Sequence, residues 1–252
     1  MHVPPRSAVE NMARDTGLMD RARYTGEAVF SIYSWQRPTL SLGRNQTASG
    51  RYDLRQIAER GIDVVRRPTG GRALLHWREV TYSVTAPIPD GDSLRSSYER
   101  INRILLAGLS DLGIPASESH GPEPTPIPGE LPCFAQPSEG ELVVNGAKLV
   151  GSAQYRENGA MLQHGSILIA DDQPLIAVLL LSDWGALETP RAATLRQSLG
   201  RDPSTVEVAT HLFNAVRELE DSNASVLDES DTREYTERYL DSYRNELWTW
   251  RK

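Results

Sequence analysis

Residues 141–168 read ELVVNGAKLVGSAQYRENGAMLQHGSIL, and the punctuation of this stretch decides the fold. Asn145-Gly146 and Asn158-Gly159 each sit between strand-like runs. Asn-Gly favours positive φ angles in a type I′ turn, whose twist matches the strands it joins, so the stretch predicts a three-stranded meander. Working outward, Ala28 to Ser34 and Thr39 to Leu42 predict short strands with Arg37-Pro38 turning between them. Ile62 to Arg66, Ala73 to His76 and Val80 to Ala86 predict further strands. Val9, Met12, Ala13, Met19 and Ala22 recur on one face of an N-terminal helix. Asp53 caps a short helix through Arg60 that Gly61 ends, and Ser93 caps a longer one with apolar positions Leu94, Ile101, Ile104, Leu105, Leu109 and Leu112. Helical patterns follow at Pro174 to Leu181, Ser204 to Leu219 and Thr232 to Leu247. The sum is an α+β chain: one domain over residues 1–252, a mixed, largely antiparallel β-sheet flanked by helices, with a helical C-terminal end from about 203.

The 252 residues carry a formal charge of −7, which does not suit a molecule that tracks a phosphate backbone. The longest apolar run, Leu175 to Leu181, is too short to span a bilayer, and no charged segment leads into an apolar secretion signal. One cysteine, Cys133, excludes an internal disulfide and a Cys-cluster metal site. These features predict a soluble, cytoplasmic protein that binds neither nucleic acid nor membrane. Charge is uneven, with nine arginines against three carboxylates from Arg37 to Arg78, and ten carboxylates against three arginines from Glu218 to Glu246. The arginine-rich segment is either a solvated face or a docking face for an acidic protein.

Four segments could carry chemistry. In RRPTGGRALLH, residues 66–76, paired arginines precede a Gly70-Gly71 turn whose N–H groups could meet an anion, though most such pairs are only turns. In GAKLVGSAQ, residues 146–154, alternation puts Lys148 on the face of Val150 and Ser152. An outward lysine is an ordinary solubilising residue, the reading the pattern alone favours; an inward one is costly to bury and has a task. His164 lies in an otherwise apolar strand, where satisfying a core hydrogen bond is the favoured reading over orienting a substrate, and His76 shares the ambiguity. Cys133 lies in GPEPTPIPGELPCFAQP, residues 121–137, too rich in proline for helix or central strand and too long for an ordinary connector. A nearby cation such as Lys148 would lower the thiol pKa and make a nucleophile of it.

Taken in order, RRPTGGRALLH, TYS at residues 81–83, LPCF, GAKLVGSAQYR and LQHGSIL resemble the lipoate/biotin protein ligase catalytic-domain superfamily, and within it the LipM-type octanoyltransferases. Asn11-Met12-Ala13 and the LRQSLGR of residues 195–201 fit the same pattern, so the resemblance covers most of the chain. It implies the biotin/lipoate protein ligase-like fold and transfer of octanoyl from acyl carrier protein to a lysine of a lipoyl domain, usually that of glycine cleavage H protein. It implies Cys133 as acyl-thioester nucleophile and Lys148 as the group that lowers the thiol pKa. Arg67, Gly70, Gly71 and His76 would line one wall of the substrate site; Gly151, Ser152, Ala153 and His164 would line the other. A thioester donor is already activated, so the reaction implied needs no cofactor, neither ATP nor metal. Leu74, Val84, Leu149, Met161 and Ile167 are candidate linings for the acyl chain.

The same resemblance leaves rivals. An ATP-dependent lipoate–protein ligase would cradle an acyl-adenylate, but such ligases usually carry a third glycine where this chain has Arg72 and an Asp where it has Trp77. An amidotransferase moving octanoyl between lipoyl domains would also use a cysteine, and the Cys133–Lys148 interval favours the carrier-dependent enzyme over it. Biotin ligase lacks support without its glycine-rich arginine loop. A non-catalytic docking module would not need both Cys133 and Lys148.

Overall fold

In the computed structural model, which describes residues 4–89, 91–120, 134, 137–181 and 191–251, both Asn-Gly pairs form the expected turns. Asn145 and Asn158 have φ of 51° and 47°, and Gly146 and Gly159 of 77° and 78°, the left-handed pair that a type I′ turn requires. In chain order the first half holds α1 (Ala8–Thr25), β1 (Val29–Tyr33), β2 (Thr39–Leu42), α2 (Leu54–Glu59), β3 (Asp63–Arg66), β4 (Leu74–His76), β5 (Glu79–Pro87) and α3 (Leu94–Asp111). Then come β6 (Ser117–Glu118), β7 (Leu142–Val144), β8 (Ala147–Glu157), β9 (Ala160–Leu168), α4 (Leu175–Val178), α5 (Leu195–Leu199), α6 (Thr205–Leu219), α7 (Ser230–Glu237), α8 (Leu240–Arg244) and α9 (Glu246–Thr249).

The α+β architecture stands, but the strands divide between two sheets. A six-stranded sheet runs β1-β5-β9-β8-β7-β6, every neighbour antiparallel. A three-stranded sheet runs β3-β2-β4, with β2 parallel to β3 and antiparallel to β4. Arg37 lies in a bend between β1 and β2 as expected, but the two strands do not pair and belong to different sheets. Trp35 anchors this connection as a crossing between sheets: its buried ring stacks on His76 and its Nε1 donates to Thr81 Oγ1.

Asp53 and Ser93 cap their helices as expected, and Ser7 and Ser204 do the same for theirs. All four accept backbone N–H bonds, at the starts of α2, α3, α1 and α6 respectively. Two helical expectations fail. The pattern at 174–181 yields one turn, α4, because Leu180 bridges to Tyr52 and the Leu179 carbonyl accepts from Asp53 N. The pattern at 232–247 breaks into α7, α8 and α9; Asn245 leaves the helix at ψ 111° to cap α9 through Leu247 N. Leu94, placed on the apolar face of α3, is 56% exposed in its first turn.

Alternation along the six-stranded sheet separates two faces. On one, Ile32, Val80, Tyr82, Val150 and Ile167 pack with Ile101, Leu105 and Leu109 of α3 and Leu212 of α6. On the other, Ser31, Glu79, Thr81, Ser83, Thr85, His164 and Ser166 are buried, and α1 packs on β5 and β9. Among the described residues, no helix is long and apolar enough to cross a membrane.

Candidate active site

The polar face opens into a cleft of about 410 Å³ between the two sheets. Arg67, Gly70, Gly71, His76, Lys148, Gly151, Ser152, Ala153 and His164 all line it, so the structure brings together the described residues expected to form the catalytic and substrate-binding walls. Cys133 lies outside the described residues.

Lys148 enters the cleft because β8 bulges. Val143 of β7 stands opposite Lys148 and Leu142 opposite Val150, leaving Leu149 as an extra residue. The irregularity overturns both expectations for this lysine. Leu149 and Val150 join the apolar core together, so Lys148 does not share the face of Val150, and at 2% exposure it is not a solubilising side chain. Its Nζ donates to Glu141 Oε1 at 2.6 Å and stands 4.9 Å from the centre of the Phe134 ring. A buried ammonium requires such compensation, a carboxylate on one side and an aromatic face on the other. Gly151 makes the room: a Cβ there would come within 3.0 Å of Lys148 Cε and 3.2 Å of the Phe134 ring.

The opposite wall is the Gly-Gly turn, and Arg67 holds it from within. The guanidinium donates to the Gly70 carbonyl at 2.8 and 3.1 Å, to Arg72 O at 2.8 Å and to Ser41 O at 3.0 Å. Gly71 has φ 95°, and a Cβ on it would meet the same guanidinium at 2.8 Å. Arg67 thus shapes the cleft by fixing backbone. Arg66 is likewise committed to carbonyls of Gly43, Gln46, Trp248 and Thr249. Of the nine arginines between residues 37 and 78, these two are interior, while Arg37, Arg51, Arg55, Arg60 and Arg78 are exposed.

Two buried histidines face the same space and are bonded differently. His164 Nδ1 donates to Asp15 Oδ2 at 2.9 Å, which leaves Nε2 to accept from Thr69 Oγ1 at 2.7 Å. Tyr33 OH also donates to Asp15 Oδ2, at 2.8 Å. Burial holds His164 below the usual imidazole pKa, against the pull of Asp15, and holds the Tyr33 hydroxyl well above its ordinary value. A neutral His164 therefore ties α1 to the RRPTGG segment. His76 Nδ1 bonds Glu79 Oε1 at 2.7 Å, and Glu79 also accepts from Thr81 Oγ1 at 2.6 Å and from Ser166 Oγ.

Among the candidate acyl linings, only Leu74 borders the cleft. Val84, Leu149, Met161 and Ile167 belong to or pack on the core beneath α3 and α6, because strand alternation and the β8 bulge turn them to that face. Asp15, Glu79 and Glu141 were not singled out from the sequence. Glu79 was accessible as the first of the alternating polar set Glu79, Thr81, Ser83 and Thr85. Asp15 and Glu141 carry no comparable local signal.

The family profile described as lipoyl protein ligase A/B catalytic domain matches residues 7–217. A protein named octanoyltransferase LipM from Kyrpidia tusciae is 37% identical over 274 aligned positions, covering 100% of this chain and 98% of its own. The octanoyltransferase LipM of Carboxydothermus hydrogenoformans is 40% identical over 197 positions, covering 76% of this chain and 72% of its own. A bipartite lipoate protein ligase from Thermoplasma acidophilum superposes with a TM-score of 0.78 at 20% identity, over 99% of this chain and 94% of that one. Lipoate-protein ligase A bound with ATP gives 0.76 at 21% identity, over 99% and 96%. At such identities the two structures speak to fold alone.

Proposed function

The chain belongs to the lipoyl protein ligase A/B catalytic domain family, and on that premise we propose that it is an octanoyltransferase of protein lipoylation. The donor is octanoyl-acyl carrier protein, and the acceptor is a lysine of a lipoyl domain such as that of glycine cleavage H protein. The sequence relatives favour this reading over the ATP-dependent ligase that the structural neighbours exemplify, since the octanoyltransferases share nearly twice the identity.

The observation that carries the mechanism is the environment of Lys148. A buried ammonium faces the cleft, and the ring of Phe134, the residue that follows Cys133 in sequence, stands 4.9 Å from it. A cation in that position supports Cys133 as a thiolate. The thiolate attacks the donor thioester, the carrier thiol leaves, and octanoyl is held on Cys133 while the acceptor docks. Lys148 and the N–H groups of the Gly70-Gly71 turn are the candidate donors to the oxyanion that forms at each step. The acceptor lysine then displaces the sulfur and forms an amide in a ping-pong sequence. Gly151, Ser152 and Ala153 give the acyl chain a flat wall. The exposed arginines offer an acidic partner a complementary field.

Intact-protein mass spectrometry after incubation with octanoyl-acyl carrier protein, without ATP, tests the reading. An octanoyl adduct that is absent in Cys133→Ser is the expected result. Modification of the lipoyl domain that requires ATP and free acid, and survives Cys133→Ser, would establish the ligase instead.

A further inference from the structure

The cleft holds a cation for which the steps above have no task. Arg72, Leu74 and His76 border the cleft, while Ala73 and Leu75 between them pack with Leu40 and Ile57 in the core beyond the three-stranded sheet. Alternation of this kind puts the Arg72 side chain on the cleft face. Its Nη1 is buried and has no hydrogen-bond partner among the described residues. The neighbouring charges are engaged elsewhere. Arg67 donates to the carbonyls of Ser41, Gly70 and Arg72, and Lys148 donates to Glu141. Glu141 also accepts from Ser138 N, and the exposed Glu139 stands 4.0 Å from Arg95.

A buried donor without an acceptor costs free energy, and more so when it carries charge. In a cleft that takes substrate, an arriving ligand can supply the acceptor. The chemistry of the donor narrows what that ligand is: a guanidinium presents a planar fork of N–H groups that matches two oxygens of a carboxylate or a phosphate. The space beside it is open. Arg72 directly follows the Gly70-Gly71 turn, and nothing lies within 4 Å of a Cβ built on Gly70. An oxyanion can therefore approach the turn and the guanidinium together.

We propose that Arg72 binds an anionic oxygen that a substrate protein carries into the cleft. Two groups share this chemistry: the phosphate of the donor's pantetheine arm, and a carboxylate beside the acceptor lysine. Each is slender enough to enter a cleft of about 410 Å³ that has no room for a folded domain. The identity of the two carriers rests on the octanoyl-transfer reading above; the anion site itself does not. Its role is binding, with no bond made or broken at Arg72.

Equilibrium binding to the parent and to Arg72→Gln, followed by calorimetry, tests the site. Salt at about 0.5 M screens exposed charge pairs more than an enclosed one. One arm uses S-octyl-4′-phosphopantetheine and S-octylpantetheine, thioethers that cannot transfer an acyl group. The other arm uses unmodified glycine cleavage H protein. If the phosphate is the anion, the parent prefers the phosphorylated thioether by about 10-fold, in the range of one hydrogen bond to a charged group, and Arg72→Gln abolishes the preference without weakening S-octylpantetheine. If an acceptor carboxylate is the anion, Arg72→Gln weakens H protein by about 10-fold and leaves both thioethers unchanged. A variant unchanged in both arms overturns the proposal and makes Arg72 a residue satisfied by water. Equal weakening of all three ligands also overturns it, since a general loss is that of a packing residue. Arg72→Met, which keeps the side-chain stem, is read in the same way where Arg72→Gln does not fold. A parent that transfers no octanoyl yet prefers the phosphorylated thioether keeps the anion site and loses only the identity of its carriers; a parent that binds none of the three loses both.

Discussion

The two faces of the six-stranded sheet are built from alternate residues of the same strands, yet they do different work. Beneath α3 and α6, β1, β5, β8 and β9 contribute Ile32, Val80, Val150 and Ile167 to a continuous apolar core. Beneath α1 they contribute Ser31, Glu79, Thr81, Ser83, His164 and Ser166, all buried and several joined in hydrogen-bonded chains. Burial of apolar side chains stabilises a fold, whereas burial of polar groups costs free energy unless each finds a partner. The first face therefore holds the molecule together, and the second lets it position two histidines and three carboxylates around a cleft. Chemistry and stability are separated by one residue of strand register.

A substitution on the apolar face gives the largest effect and should break only one side of this comparison. Leu105 is fully buried between α3 and the sheet, and Leu105→Ala should cost about 2–5 kcal/mol in urea unfolding. Acyl-transfer activity per folded molecule should stay near the parent's. A large loss of activity in a chain that remains folded would show that the apolar face also sets cleft geometry.

On the polar face the order reverses. Lys148→Met, made together with Glu141→Gln so that no carboxylate is left unpaired, should leave the unfolding midpoint nearly unchanged. Octanoyl transfer should fall by about 100-fold. Alkylation of the Cys133 thiol should shift to higher pH, because the cation that favours the thiolate is gone. An alkylation profile identical to the parent's would mean that Lys148 does not act on that sulfur.

The division between the faces also explains what could be read from the sequence. Features governed by a few adjacent residues were legible: the caps at Ser93 and Asp53, the Asn-Gly turns and the meander those turns frame. The site motifs were legible too, because Gly70-Gly71, Lys148 and His164 sit in short stretches whose order resembles a family. The split into two sheets was not, since β1 pairs with β5, 48 to 56 positions away, rather than with its neighbour β2. Nor was the inward turn of Lys148, which depends on a bulge that no residue in β8 announces. Asp15 and Glu141 escaped notice for the same reason: a buried carboxylate is meaningful only beside its partner, and His164 lies 149 positions from Asp15.

The smallest effect, and the sharpest probe of the polar face, is a pH dependence. His164 has its pKa lowered in the folded chain, first by burial and then by the charges of Arg67 and His76, with Asp15 opposing. The unfolded chain presents an ordinary imidazole near pH 6.5. Above that value both states hold the ring neutral, and His164 adds no pH dependence. As pH falls below it, the unfolded chain takes up a proton that the folded chain resists, so stability declines, no more steeply than about 1.4 kcal/mol per pH unit for one proton. His164→Gln should lower stability at every pH, through loss of the Thr69 and Asp15 bonds, and should also flatten the decline between pH 7 and 5. The flattening is the informative part, since a purely structural loss would move the whole curve without changing its slope. Urea midpoints across that range for parent and variant decide the matter; parallel curves would mean that Asp15 holds the folded imidazole as readily protonated as the unfolded one.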